Sequence, residues 1–131
     1  MTPIRWLERL TLVLLHAESL AKYGGLPGLR DEGLLEGALA RPRNLHAYEE
    51  VDDIVTLAAC YGVAVAKNHP FNDGNKRAAF LAALTFARIN GVTVIAVEAD
   101  AAAIMVAVAS GELDQQGLAD WMRRNVSPTV G

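Results

Sequence analysis

Ile4, Leu7, Leu10, Leu14 and Leu15 recur at helical spacing behind Thr2 and Pro3, a cap residue followed by the residue best suited to a first helical position. The pattern predicts a first helix from Thr2 toward Tyr23, stopped by "GGLPGL". Asp31 then caps a short second helix marked by Leu34, Leu35, Ala38 and Leu39, which Pro42 ends because proline disfavours helical geometry at the residue before it. Residues 42–51 are expected to form a loop. A third helix over about Asp52–Asn68 puts Ile54, Leu57, Ala58, Tyr61 and Val65 on one buried face, and Pro70 closes it. A fourth begins near Asn75, carries Phe80, Leu81 and Leu84 inward and stops at Asn90–Gly91, a glycine just past a helix end. "VTVIAV" is β-branched and suits a short extended segment. Two further helices, about Glu98–Ala109 and Asp114–Asn125, lie on either side of Gly111.

Composition sharpens this picture. Hydrophobic residues make up 52% of the 131 but aromatics only 6%, so the apolar content is mainly alanine, leucine and valine, which favours an all-α bundle in one domain over 1–131. A net charge of −3 argues against a whole-surface grip on nucleic acid or anionic lipid, so no direct nucleic-acid or membrane partner is expected. No apolar run approaches the roughly 18 residues that span a bilayer, and the start lacks the basic and apolar parts of a secretion signal, which makes a cytoplasmic protein the expectation. The single cysteine, Cys60, permits no internal disulfide, and in "LAACYGVAVA" it is expected as a packed thiol.

The candidate chemistry is concentrated in "HPFNDGNKR", residues 69–77, between the third and fourth helices. Gly74 can take positive φ and curl the loop, so that first-turn amides, which lack partners inside the helix, converge on one point as an anion site. Lys76 and Arg77 there oppose the helix dipole by about 0.3 to 1 kcal/mol each, a penalty that an anionic ligand would convert into affinity. Asp73 suits a Mg²⁺ ion shared with phosphate oxygens, and His69 supplies a base of near-neutral pKa. Each residue also has a plainer reading. Asp73 can cap the fourth helix or make an Asp-Gly turn, His69 sits comfortably near any helix C-terminus, and Lys76 and Arg77 can be solvated surface charges.

"HPFNDGNKR" resembles the signature loop of Fic-domain proteins. Where most of them have a second glycine after the asparagine, this chain has Lys76 directly followed by Arg77, the variant of the death-on-curing (Doc) toxin branch. "YGGLPG" at 23–28, "AYEE" at 47–50 and "RINGV" at 88–92 extend the similarity to Doc over most of the chain. The resemblance implies a compact six- to seven-helix fold with a short flap, and a protein kinase that transfers the γ-phosphate of ATP to a threonine of elongation factor Tu, arresting translation. Fic-type transfer of AMP to another protein, or an inactive module that binds its antitoxin and tunes transcription, are the alternatives.

Carried over by position, the resemblance makes His69 the general base and Asp73 the Mg²⁺ ligand. Asn72, Gly74 and Asn75 would shape the nucleotide site, while Lys76 and Arg77 would bind the nucleotide and stabilise charge on the transferred group. Phe71 would pack the loop into the core. The segment "ARPRNLHAYEE" would be the flap that holds an extended target peptide, with Arg41 and Arg43 in contact with it. The resemblance also implies a Phd-like antitoxin whose disordered tail folds into a groove. The self-inhibitory pattern [ST]xxxE[GN] of other Fic proteins is absent, since neither Glu32 nor Glu36 has Ser or Thr four places earlier. The apolar stretch "AAAIMVAVA" is expected as core helix in preference to partner groove.

Overall fold

The computed structural model describes residues 2–127; Met1 and residues 128–131, the two ends of the domain expected over 1–131, lie outside the described residues. Six helices follow one another: α1 (Arg9–Tyr23), α2 (Glu32–Glu49), α3 (Ile54–Asn68), α4 (Asn75–Ile89), α5 (Glu98–Ser110) and α6 (Gln115–Arg124). The fold is all-α as expected, and the described residues form no sheet, only two isolated antiparallel bridges. One of these, Val94 with Val126, is the extended segment anticipated in "VTVIAV".

α3 is the axis of the molecule. It is buried on every side from Leu57 to Ala66 and is packed by α2, α4, α5 and α6. Its small residues let α4 approach closely: α4 turns Ala78, Ala79, Ala82, Ala83, Phe86 and Ala87 inward. This corrects the expected face, because Phe80, Leu81 and Leu84 are only half-buried along its flank. Gly62 lies where α3 meets both α4 and α6: an added Cβ would lie 3.0 Å from Leu118 Cδ2 and 3.5 Å from the Ala83 Cβ. Cys60 is buried here, and burial pushes its thiol up to about 11, so it stays protonated and inert.

Helix starts follow sequence chemistry where a side chain caps them. Asp31, Asp53 and Asp114 accept from the backbone N–H of Leu34, Thr56 and Gly117 at 2.8 to 2.9 Å, opening α2, α3 and α6. The expected start at Thr2 fails, and α1 begins at Arg9. Residues 2–8 are instead fixed by tertiary bonds: Asn90 exchanges two hydrogen bonds with the Arg5 backbone, and Leu7 N–H donates to the Tyr61 hydroxyl. The inward face of α1 also differs from expectation, since Leu10 and Leu14 are 64% and 55% exposed while Leu12, His16 and Ser19 are buried.

The largest correction concerns Pro42. It lies inside α2, fully buried, and the helix continues to Glu49, leaving only 50–53 as loop. Burial of Leu35, Ala38, Leu39 and Pro42 along one stripe outweighs the hydrogen bond that proline forfeits. The expected flap is therefore helical over residues 40–49. Arg43 lies 5.5 Å over the Trp6 ring, which itself stacks on Phe86.

Gly62, where α3 meets α4 and α6, leaves little room for a larger side chain. Gly62→Leu should lower the unfolding free energy by roughly 1–3 kcal/mol through overpacking, read as a lower urea midpoint; an unchanged midpoint would mean that the helices do not touch there.

Candidate active site

The loop between α3 and α4 owes its shape to a sequence of local constraints. Pro70 disfavours a further right-handed residue, and His69 ends α3 in the left-handed region at φ 50°, ψ 57°. Arg30 secures this end, its guanidinium donating to the carbonyls of Asn68 at 3.0 Å and His69 at 2.7 Å. Asn75, only 7% exposed, then closes the loop from the other side: its Oδ1 accepts from Phe71 N–H at 3.0 Å and its Nδ2 donates to Phe71 C=O at 2.9 Å. That pairing fixes the amide orientation, so Nδ2 also faces His69 Nδ1, at 3.4 Å. The contact is long and the imidazole is exposed, so the ring is not locked by it.

Gly74 takes φ 72° as N-cap of α4 and offers no side chain to the helix start. The first intrahelical bond runs from Ala78 N–H to Gly74 C=O, and no acidic residue occupies the first turn. The amides of Asn75, Lys76 and Arg77 are thus left to an outside acceptor. Arg77 is held in place, donating to Gly24 C=O at 2.9 Å and lying 5.4 Å over the Tyr23 ring. Lys76 is exposed and forms no ion pair among the described residues. Both cations border a cavity of about 420 Å³ whose other walls include Phe80, Leu81, Met105 and Val106. "AAAIMVAVA" is therefore both core and wall: Met105 and Val108 are buried, whereas Val106 is exposed to the cavity.

Asp73 stands at the mouth of this helix start. Its Oδ2 accepts from Leu26 N–H at 3.0 Å and its Oδ1 from Gly74 N–H at 2.8 Å. These two bonds, Leu26 first, hold its carboxyl below the usual carboxylate range, with smaller help from the charges of Arg77 and His16. Each oxygen keeps a further lone pair toward solvent, as ligation of a cation requires. Among the described residues no cluster of three or more His, Cys, Asp or Glu could hold a metal unaided, so a cation here would depend on a ligand's own oxygens. That donor set fits Mg²⁺ bound together with phosphates.

His69, Asp73, Gly74, Asn75, Lys76 and Arg77 thus share one site. Asn72 is turned away, its Nδ2 donating to Pro27 C=O at 3.0 Å. Arg41 and Arg43 lie on the second half of α2; the Trp6 and Phe86 rings beneath Arg43 are about 16 Å along α4 from Asn75, given 1.5 Å of rise per residue. In the sequence, the segment 24–31 carries a helix stop, a cap at Asp31 and a share in the resemblance, but no part in the site. It pairs with the loop through Arg30 and Asp31 N–H to Pro70 C=O and Asn72 N–H to Gly28 C=O. Gly25, at φ 130°, admits no side chain, since a Cβ would lie 2.7 Å from Leu20 and 3.0 Å from Asp73 Oδ2. His16 was missed as well: its Nε2 is 2.7 Å from Asp73 C=O. The similarity of "YGGLPG" to the Doc branch is the sequence signal that points to this segment.

A sequence model of the Fic/DOC family matches residues 6–87. The chain is 42% identical over 113 residues to the protein named "Protein kinase doc" of Escherichia phage P1, covering 86% of this chain and 89% of that one. It is also 42% identical over 84 residues to "Toxin Doc" of Mycolicibacterium smegmatis, covering 63% of this chain and 64% of that one.

The Asp73 bonds have a pH signature. Because its folded-state carboxyl titrates below the ordinary 3.8, its stabilisation is complete above that value and is lost as pH falls through the lower native one. In urea, the wild type should be more stable than Asp73→Asn near neutral pH, and the gap should close in acid. A gap that persisted at low pH would contradict an ionised, hydrogen-bonded carboxylate.

Proposed function

The chain belongs to the Fic/DOC family, and on that premise we propose that it is the toxin of a toxin–antitoxin pair, a protein kinase that transfers the γ-phosphate of ATP to a threonine of elongation factor Tu. The observation that carries the reading is the uncapped, cation-bearing start of α4 with an ionised carboxylate at its mouth. Phosphoryl transfer demands little covalent chemistry from a protein. It needs in-line positioning and donors aimed at the equatorial oxygens.

Each side chain has a part. The backbone N–H groups of Asn75, Lys76 and Arg77 receive phosphate oxygens, with Arg77 already oriented by Gly24 and Tyr23. Lys76 fills space that a second glycine would leave open for closely approaching phosphates, which favours presenting the terminal phosphate to His69. Asp73 would hold Mg²⁺, which when bound offsets charge between phosphates. His69 takes the proton of the target hydroxyl. Asn75 keeps His69 and α4 in register through Phe71. The target hydroxyl approaches in solution, consistent with a cytoplasmic protein; no helix among the described residues is long and apolar enough to cross a membrane.

Restraint is proposed to come from a Phd-like antitoxin. What supports this is the largely apolar cavity beside Lys76 and Arg77, where an apolar segment laid against Leu81 and Val106 would cover both cations.

ATP labelled on the γ-phosphate should pass its label to purified elongation factor Tu, and His69→Ala should slow this about 10²–10⁴-fold, the usual worth of a general base. Label transferred instead from the α-phosphate would establish AMP transfer. No transfer from either position, with growth indifferent to induction of the wild type, would leave a binding module.

A further inference from the structure

His16 lies on the inward face of α1, 4% exposed, in a position where packing alone would be served better by a leucine. It touches the site loop twice. Its ring stacks on Phe71 at 3.8 Å with the planes 8° apart, and its Nε2 lies 2.7 Å from the Asp73 carbonyl oxygen. A carbonyl oxygen only accepts, so Nε2 carries a hydrogen and donates it.

That single bond has leverage because a trans peptide is planar, with its C=O and the following N–H pointing in opposite directions. Drawing the Asp73 oxygen toward α1 turns the Gly74 N–H the other way, where it meets Asp73 Oδ1 at 2.8 Å. Gly74 does not select this orientation itself. Without a Cβ it tolerates either setting of the preceding peptide, and a side chain there would be strained at φ 72° and would crowd Arg77 Nη2 at 3.2 Å and Leu20 at 3.3 Å. In the flipped setting the carbonyl oxygen would replace the N–H beside the carboxylate, and two acceptors would face each other.

We propose that His16 is the positioning residue of the site: its Nε2–H sets the Asp73–Gly74 peptide and, through Gly74 N–H, aims the Asp73 carboxylate at its cation. The Phe71 stack fixes the ring from which the donor acts, and Asn75 fixes the backbone of Phe71, so the loop is held from α1 and from α4 at once. The inference rests on Asp73 being the ligand of a divalent cation that binds with ATP.

Three measurements test it. In the wild type, long-range nitrogen–proton NMR should find the His16 proton on Nε2; a neutral ring protonated on Nδ1 alone would overturn the proposal without any variant. His16→Phe keeps a stacked ring but no donor, and should speed hydrogen exchange at Gly74 N–H. It should also raise the Mg²⁺ concentration needed for half-maximal ATP binding about tenfold, as loss of outer-sphere support does. His16→Gln, which keeps an N–H, should restore most of both. Unchanged Gly74 exchange and unchanged Mg²⁺ dependence in His16→Phe would overturn the proposal. ATP binding indifferent to Mg²⁺ in the wild type would overturn the role of Asp73 and the proposal with it, a failure told apart because Gly74 exchange would still respond to His16.

Discussion

The two hydrogen bonds between the Asn75 side chain and the Phe71 backbone are the constraint on which the site depends. They satisfy a buried N–H and a buried C=O that the turn would otherwise leave unpaired, at a cost of about 1–3 kcal/mol for each unsatisfied group. They also let α4 begin directly after Gly74 without a capping side chain. A conventional cap in the Gly74 position, an Asp such as opens α2, α3 and α6, would occupy the amides that the site leaves free. Lys76 and Arg77 then add positive charge to a terminus that already carries the positive end of the dipole, and the fold absorbs this because α4 is anchored along its length by the alanine face against α3.

Strain and support are distributed around the loop in the same way. His69 is a non-glycine residue in the left-handed region, a conformation that costs roughly 1–2 kcal/mol and persists where its surroundings over-determine it. Arg30 supplies that determination from the 24–31 segment, which also supplies Leu26 N–H to Asp73 and Gly24 C=O to Arg77. The end of α3 at His69, the Asp73 carboxylate and the Arg77 guanidinium are therefore all held by one short stretch, the first by the Arg30 side chain and the other two by backbone groups. α1 carries that stretch and His16 together, so the helix is as much a part of the site as the loop.

The chain could be read for α3 to α6 because their ends are written locally: Asp caps at 53 and 114, Pro70, and glycines at 91 and 111, each within two residues of the observed limit. It misled at Thr2–Pro3, where a sound local start lost to hydrogen bonds from Asn90 and Tyr61, and at Pro42, where burial overrode a local stop. With the second of these, the segment read as a flap became the last part of α2. Faces were harder than boundaries. α1 offers leucines on more than one stripe, and the stripe turned inward is the one with His16 and Ser19, while α4 buries alanines whose small size matters more than the hydrophobicity of Phe80 or Leu81. At the site, the contiguous residues 69–77 were legible as a cluster. His16, Leu26 and Arg30 were not, because they act 39 to 57 residues away and each bond has a backbone atom at one end, so no pair of side-chain types marks it.

The most direct test of the whole account is a crystal structure of the protein with Mg²⁺ and a non-hydrolysable ATP analogue. The phosphates should lie on the amides of Asn75, Lys76 and Arg77, with the metal on Asp73 and the terminal phosphate toward His69. A nucleotide seated away from the start of α4, or one with its α-phosphate beside His69, would contradict it.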